Sequence, residues 1–427
     1  MKLLITAISL TAAAVALALA GSQAARLKEN GPRPVIDAGK YFNLDSPTSG
    51  LQEAIDAAGP AGGLIVIPPG IYPLKQSLST RSGVTLRGSG PATVLRKEPG
   101  AASLLAADCP AKVTEVAVKD TAGFEIGGAI ALRDREQVGW YITHAIVKAI
   151  RPGRIILDRP TTRDYRLDRG AVAVNFFPAI TAEDQSALAI EDLQIDGDPA
   201  HQPTDAPGDF TFAAVHLVRC TRARVRDVLV TGWPSDGIGV QGGSDAQVIG
   251  CQATGCRGHG FHPGTELTGA TFTGNVARDN AWDGLFFCAR VRQTTVSSNV
   301  FTGNGWSGIG GLGNDDDEWN TCSGNICANN GRAGIEMNDG RNNTATGNVC
   351  VNNSRSASGR WAGIDISNCT GCLVTGNRCA DDQERPTQQV GIRESGRSDY
   401  NQIRGNQLHG SQKAVEKIGP HTQGDRE

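Results

Sequence analysis

Four side chains, Asp236, His259, His262 and Asp283, form the set best suited to moving protons in this chain. Imidazole titrates near neutral pH, and a carboxylate beside it fixes its tautomer and stabilises the charged ring. The spacing is not local: His259 lies 23 residues after Asp236, and Asp283 lies 24 after His259. The four meet only if the chain returns to the same place at that interval. The plain alternative is that the imidazoles cap turns or join polar ladders, and residue type alone leaves both readings open.

A return of that length is written into the sequence. A glycine followed by an apolar residue recurs about every 23–29 residues: Gly237-Ile238, Gly260-Phe261, Gly284-Leu285, Gly308-Ile309, Gly334-Ile335, Gly363-Ile364 and Gly391-Ile392. Asparagine keeps the same beat at 275, 299, 325, 348, 377 and 406, with Cys251 in the first slot. A second column follows five residues later: Cys256, Asn280, Asn304, Asn330, Asn353 and Asp382. A fixed period of this size means a solenoid. Strings such as Gly237-Ile238-Gly239-Val240 alternate with period two, which is strand patterning. The expected fold is therefore all-β, a parallel β-helix, with asparagines in the turns, where Asn tolerates the left-handed conformation and stacked amides bond along the axis.

That architecture sorts the candidates into columns. In Gly-Φ-x-Φ both Φ residues point inward and x faces solvent. The outward column is then His216, Gly239, His262, Phe286, Gly310, Glu336, Asp365 and Arg393. Asp236, His259, Asp283 and Ser307 precede the glycines at the strand entrance. Neighbouring rungs stand about 4.8 Å apart, so the four proton-transfer candidates converge. Arg257, Arg290, Arg292 and Glu266 lie at the margin, and an arginine there can neutralise a carboxylate or sulfate. Trp282, Trp306 and Trp361 each stand two residues before a repeat glycine; such a row either stacks on sugar rings or packs a turn. Glu336 and Asp365 can line a groove without reacting.

Composition narrows the partners. A formal charge of −3 gives no electrostatic case for nucleic acid. Leu3 to Ala20 is apolar and is followed by small residues, which reads as a signal peptide over residues 1–25 and a secreted or periplasmic protein, with no other segment able to cross a bilayer. Of the eleven cysteines, Cys327, Cys350 and Cys379 fall in an inward column, where free thiols pack as small hydrophobes. Cys369 and Cys372 form a C-x-x-C without a second pair at zinc spacing. The acidic run Asn314 to Glu318 reads as a solvated turn; Asp315, Asp316 and Asp317 are the weak candidates for Ca²⁺, although EF-hand spacing is missing. No other cofactor is called for, and the oligomeric state is open.

Along the chain, residues 26–112 read as an N-terminal cap and first rungs, with a capped amphipathic helix from Ser49 to Ala58 whose Leu51, Ala54, Ile55 and Ala58 share a face. Residues 113–175 lack the asparagine beat and read as a small β-rich insertion. Residues 176–412 are the β-helix proper, interrupted by a Pro/Asp-rich loop from Asp196 to Asp209, and 413–427 is a polar tail expected to fray.

The helix, the turn Ile67-Pro68-Pro69-Gly70-Ile71-Tyr72 and the rungs resemble the pectate-lyase-like superfamily of right-handed parallel β-helices. That superfamily holds lyases, C5-epimerases, glycoside hydrolases and non-catalytic members. Residues 256–288 resemble the mannuronan C5-epimerase scaffold. Its motif Tyr-Gly-Phe-Asp-Pro-His-Glu is followed by Asp-Asn-x-x-Asp-Gly, and Gly260, Phe261, Pro263, Asp279, Asn280, Asp283 and Gly284 match. His259 stands at the family's tyrosine, His262 at its aspartate and Gly264 at its histidine, and no lysine lies nearby. The resemblance implies a shared groove and a polysaccharide partner. Three functions follow: a lyase or C5-epimerase on an acidic polysaccharide, using His259 or His262 for proton transfer; a glycoside hydrolase using Asp236 and Asp283; or a non-catalytic glycan binder. For the hydrolase, Ser235-Asp236-Gly237 and Gly258-His259-Gly260 resemble polygalacturonase-type motifs, whose paired Asp-Asp rung is absent.

Overall fold

The computed structural model describes residues 33–314 and 316–424, so the apolar run at 3–20 and residue Asp315 lie outside the described residues. No helix among the described residues is long and apolar enough to cross a membrane. The chain winds into a right-handed parallel β-helix. An eleven-stranded parallel sheet forms one wall, from Leu78–Ser79 through Ile238–Gln241 and Phe261–Pro263 to Lys413–Glu416. The remaining walls merge into one large parallel sheet, because the long strand Ala189–Asp196 pairs with Val84–Arg87 at one end and Thr93–Lys97 at the other.

The repeat glycines are there for close approach, not for a left-handed backbone. A Cβ on Gly260 would stand 2.6 Å from the Cβ of Ala277 and 2.6 Å from the carbonyl oxygen of Gly284. The apolar residues that follow them, among them Ile238, Phe261, Leu285, Ile309, Ile335, Ile364 and Ile392, fill one continuous core. Cys327, Cys350 and Cys379 are register partners on adjacent strands and fully buried in that core, as their column implies. All eleven cysteines are unpaired, and ten are buried.

The asparagines form internal ladders. The side chains of Asn275, Asn299, Asn325, Asn348, Asn377 and Asn406 bond in series at 2.9–3.0 Å. Each Nδ2 from Asn275 to Asn377 donates a second time to a backbone carbonyl, as Asn325 does to Val296 at 2.9 Å, and Asn406 Nδ2 donates to Val374 O. The left-handed residues are the ones just before, Gly274, Ser298, Gly324, Gly347, Gly376 and Gly405. The ladder amide is therefore selected by buried hydrogen bonding rather than by tolerance of positive φ. The second column runs Asn280, Asn304, Asn330, Asn353 and ends on Gln388, not on Asp382, which pairs instead with Asn352.

The N-terminal helix Leu51–Ala57 buries Leu51, Ala54 and Ile55 at the open end of the coil. Its cap differs from expectation. Ser49 donates its hydroxyl to Pro73 O, and Thr48 Oγ1 accepts the Gln52 N–H instead. A separate six-stranded antiparallel sheet spans Ala102 to Val174 and has its own core. A small apolar cluster of Ile142, Val174, Phe176, Ala206 and Phe212 fastens it to the loop that precedes Val215. The tail does not fray as far as Gly424: Lys413–Glu416 and Gln423–Gly424 add strands to the two sheets, since ladder pairing needs backbone groups rather than apolar side chains.

Candidate active site

The register brings the predicted columns together. His216, Gly239 and His262 are direct partners on consecutive strands, Phe286 pairs with Gly310, and Glu336, Asp365 and Arg393 pair in turn. At the strand entrance, Asp236 Oδ1 accepts the His259 backbone N–H at 2.8 Å, and its Oδ2 meets His262 Nδ1 at 2.7 Å. Gly258 makes this possible, because a Cβ there would stand 2.0 Å from Asp236 Oδ1. His259 Nδ1 lies 3.2 Å from Asp283 Oδ2, whose other oxygen accepts the Ser307 N–H at 2.7 Å. His259 Nδ1 also accepts the Asp283 backbone N–H at 3.3 Å, so the result is one hydrogen-bonded imidazole–carboxylate pair, His262–Asp236, and a second imidazole facing Asp283, with ring centroids 5.2 Å apart.

The column does not face open solvent, contrary to expectation. His259 and His262 are each 4% exposed, Asp236 0% and Asp283 2%. Aromatic rings cover them. Phe286 stacks on His259 at 4.5 Å and meets the edge of His262 at 5.3 Å. Phe210 lies 5.9 Å from His262, and with Trp140 it also covers His216, which is buried too. Trp140 comes from the antiparallel sheet's connection Gly139–Tyr141, docked by Gly139 N–H on Asp209 Oδ2 at 2.9 Å. The cover is thus supplied partly by the repeat itself, through Phe286, and partly by Trp140 and Phe210, which do not share it.

Burial sets the charges. Burial alone would lower the His262 imidazole, but Asp236 and Cys288 push it up to about 10, so the ring is held as imidazolium. Burial would raise Asp236, and His259 and His262 together hold it below the usual carboxylate range. Burial, reinforced by His144 and His262, takes His216 down to about 3, leaving it neutral. Glu336 is raised by burial and by Asp283, while Ser307 Oγ donates to it at 3.0 Å. Asp365 is raised by burial to about 6, with Arg393 at 3.7 Å holding it back.

Asp236, His259 and His262 are also the only group among the described residues whose donor atoms lie within 4.8 Å of one another in the manner of a metal site. Their geometry is that of an ion pair: both Asp236 oxygens already face protein N–H groups. In the acidic loop Asp316 lies 3.7 Å from Arg341, and Asp317 is buried and accepts the Val291 N–H at 2.6 Å.

The marginal residues divide. Arg257 is committed to the backbone carbonyls of Gln202 and Pro203 and secures the 196–209 loop, so it is corrected from substrate neutralisation to loop anchoring. Arg290 and Glu266 pair at 3.2 Å in the turns beyond the strands. Trp282 and Trp306 stack at 5.4 Å and 17°. Arg332 lies over Trp306 at 4.0 Å and over Trp361 at 5.7 Å, and Arg360 lies over Trp361 at 4.8 Å. Sequence reasoning missed Arg332, Trp140, Phe210, Gln241 and Cys288. Cys288 alone carried a signal: it ends the strand motif Gly284-Leu285-Phe286-Phe287-Cys288 just past the inward column.

Comparison with known proteins agrees on the fold. A family described as "right handed beta helix region" matches residues 213–408. No curated protein sequence matches the chain. Among solved structures, the A-module of mannuronan C-5 epimerase AlgE6 from Azotobacter vinelandii superposes with a TM-score of 0.60 at 15% identity, covering 91% of this chain and 98% of that one. The AlgE4 A-module of the same organism gives 0.58 at 14%, covering 92% and 100%. The catalytic unit of a GH87 alpha-1,3-glucanase from Streptomyces thermodiastaticus gives 0.50 at 13%, covering 92% and 70%.

Proposed function

We propose that this right-handed β-helix protein acts on an acidic polysaccharide by lyase or C5-epimerase chemistry at the His259–Asp283 and His262–Asp236 pairs. The observation that carries the reading is the clustering itself: two adjacent imidazoles, His262 bonded to the Asp236 carboxylate and His259 accepting the Asp283 N–H with that carboxylate 3.2 Å away, beside a Trp–Trp–Arg stack. Removing the C5 proton of a uronate leaves negative charge on the sugar carboxylate, which a fixed cation must stabilise. His262, held protonated, supplies that charge or returns a proton. His259 takes the C5 proton. Trp282, Trp306 and Arg332 form a platform for the next sugars, and Arg332 replaces Arg257 as the group facing their carboxylates. The structural neighbours named above include an epimerase and a glucanase, which supports a polysaccharide as substrate class.

A second reading rests on Glu336 and Asp365. They are register partners, both raised, as the acid of a glycoside hydrolase must be. This pair suits that role better than Asp236 and Asp283, which are each engaged with a histidine.

The deciding experiment incubates the protein with uronate polymers in deuterated water. Deuterium at C5 marks an epimerase, an unsaturated product absorbing in the ultraviolet marks a lyase, and new reducing ends without unsaturation favour the second reading. Loss of the C5 or unsaturation signal in both H259N and H262N supports the assignment; full activity in both rejects it.

A further inference from the structure

The His262–Asp236 pair uses only one ring nitrogen. The other, Nε2, is buried and has no hydrogen-bond partner. Just past the adjoining strand lies Cys288, two residues beyond Phe286, whose ring meets the edge of His262 at 5.3 Å; the Cys288 backbone N–H donates to Pro263 O, next to His262, at 3.0 Å, and Cys288 is the one cysteine of eleven that is not sealed in the core. Its Sγ stands 3.3 Å from Thr265 Oγ1. Thr265 in turn donates its backbone N–H to Gln241 Oε1 at 3.3 Å, which fixes the amide so that Gln241 Nε2 is a second buried donor without a partner. Gln241 and Thr265, with Trp140 and Glu266, line an open cleft of about 470 Å³. A thiol next to an imidazole, the imidazole oriented by a carboxylate, and an unused amide donor nearby are the parts that covalent acyl transfer requires.

We propose that Cys288, His262 and Asp236 form a thiol–imidazole–carboxylate relay that removes ester-linked acyl groups from O-acylated sugars, with Gln241 Nε2 stabilising the oxyanion. The ring's charge lowers the thiol to about 7 against the effect of burial, so thiolate and imidazolium coexist at neutral pH. The thiolate adds to the acyl carbonyl carbon. The carbon–oxygen bond to the sugar breaks, the sugar oxygen leaves with the proton from His262 Nε2, and the acyl group remains on sulfur as a thioester. Water then attacks the thioester while His262 takes its proton. The carboxylic acid departs, and the thiolate–imidazolium pair is restored. Asp236 is a positioning residue, holding the ring through Nδ1.

This activity is separate from the uronate chemistry proposed above. The two share His262, but the test needs no uronate polymer, so either can fail without the other. The full chain is exposed briefly to p-nitrophenyl acetate, quenched in acid and weighed intact by mass spectrometry. One acetyl group is expected, mapped to the peptide carrying Cys288, with none in C288S. H262N slows acetylation by about 10²-fold or more. In a second measurement that needs no variant, iodoacetamide on the native protein labels Cys288 ahead of every other cysteine. Acetyl groups found only on amines, or equal acetylation of C288S, overturns the relay; so does a Cys288 that is alkylated no faster than the buried thiols.

Discussion

The asparagine ladders and the wall bearing His216, Gln241 and His262 both carry buried polar side chains on successive strands of one coil, yet they are finished differently. Along the ladder every amide is used: Asn325 Oδ1 accepts from the Asn299 amide and backbone, and its Nδ2 donates to Asn348 and Val296. On three consecutive strands of the other wall, His216 Nδ1, Gln241 Nε2 and His262 Nε2 are left without partners. A buried polar atom without a partner costs about 1–3 kcal/mol. A saturated stack stabilises the coil, whereas an unsaturated one costs it stability.

The sharpest test of this contrast is to damage each stack and ask what is lost. H262N should reduce turnover of the uronate polymer by the remaining folded protein by about 10²–10⁴-fold, the usual range for losing a general acid or base. Because it also leaves the buried Asp236 carboxylate without its cation, it should lower stability by about 3–5 kcal/mol as well. Full turnover by the folded H262N protein would erase the distinction. N325A should spare turnover. It orphans groups on Asn299, Asn348 and Val296, so it should lower unfolding free energy in urea by about 2–4 kcal/mol and leave turnover of the remaining folded protein intact.

Titration separates the stacks next. Asp365 stands at 3.8 when unperturbed and at about 6 in the fold, so the folded chain binds more protons between those values. Its contribution to stability falls as pH rises through that window, and above pH 6 the fold carries a buried charge. D365N should therefore raise stability above pH 6 by on the order of 1–3 kcal/mol and have no effect near pH 4. The asparagine ladder has no titrating group, so the N325A loss should be the same at both pH values. The smallest effect belongs to the platform: W306A should weaken retention of acidic polysaccharide in affinity gels by about tenfold, the size of one lost stacking and cation–π contact.

Much of this arrangement is legible from residue spacing. The beat of Gly-Φ-x-Φ sets register, and register alone places His216, Gly239 and His262 side by side. It also places Cys327, Cys350 and Cys379 in the core. What period cannot encode is contact between parts that do not share it. Trp140 and Phe210 reach the histidines through a loop and an antiparallel sheet, so their covering role has no signature in the repeat. Arg257 looked like a substrate ligand because its type was right, but the carbonyls of Gln202 and Pro203 were invisible without the loop's path. The end of the second ladder failed for a similar reason: Gln388 enters from a bulging turn, out of step with the count.

The serial bonding of the asparagines makes the molecule's length a variable independent of its chemistry. Asn325 and Asn348 occupy equivalent places 23 residues apart, each accepting from the amide behind and donating to the amide ahead. Excising residues 325–347 would let Asn348 take over the bond from Asn299, so a whole turn can leave without an open seam. A turn can thus leave or be added beyond Trp306 while positions 236–288 stay where they are, although this particular excision also removes Arg332 from Trp306 and Glu336 from Ser307.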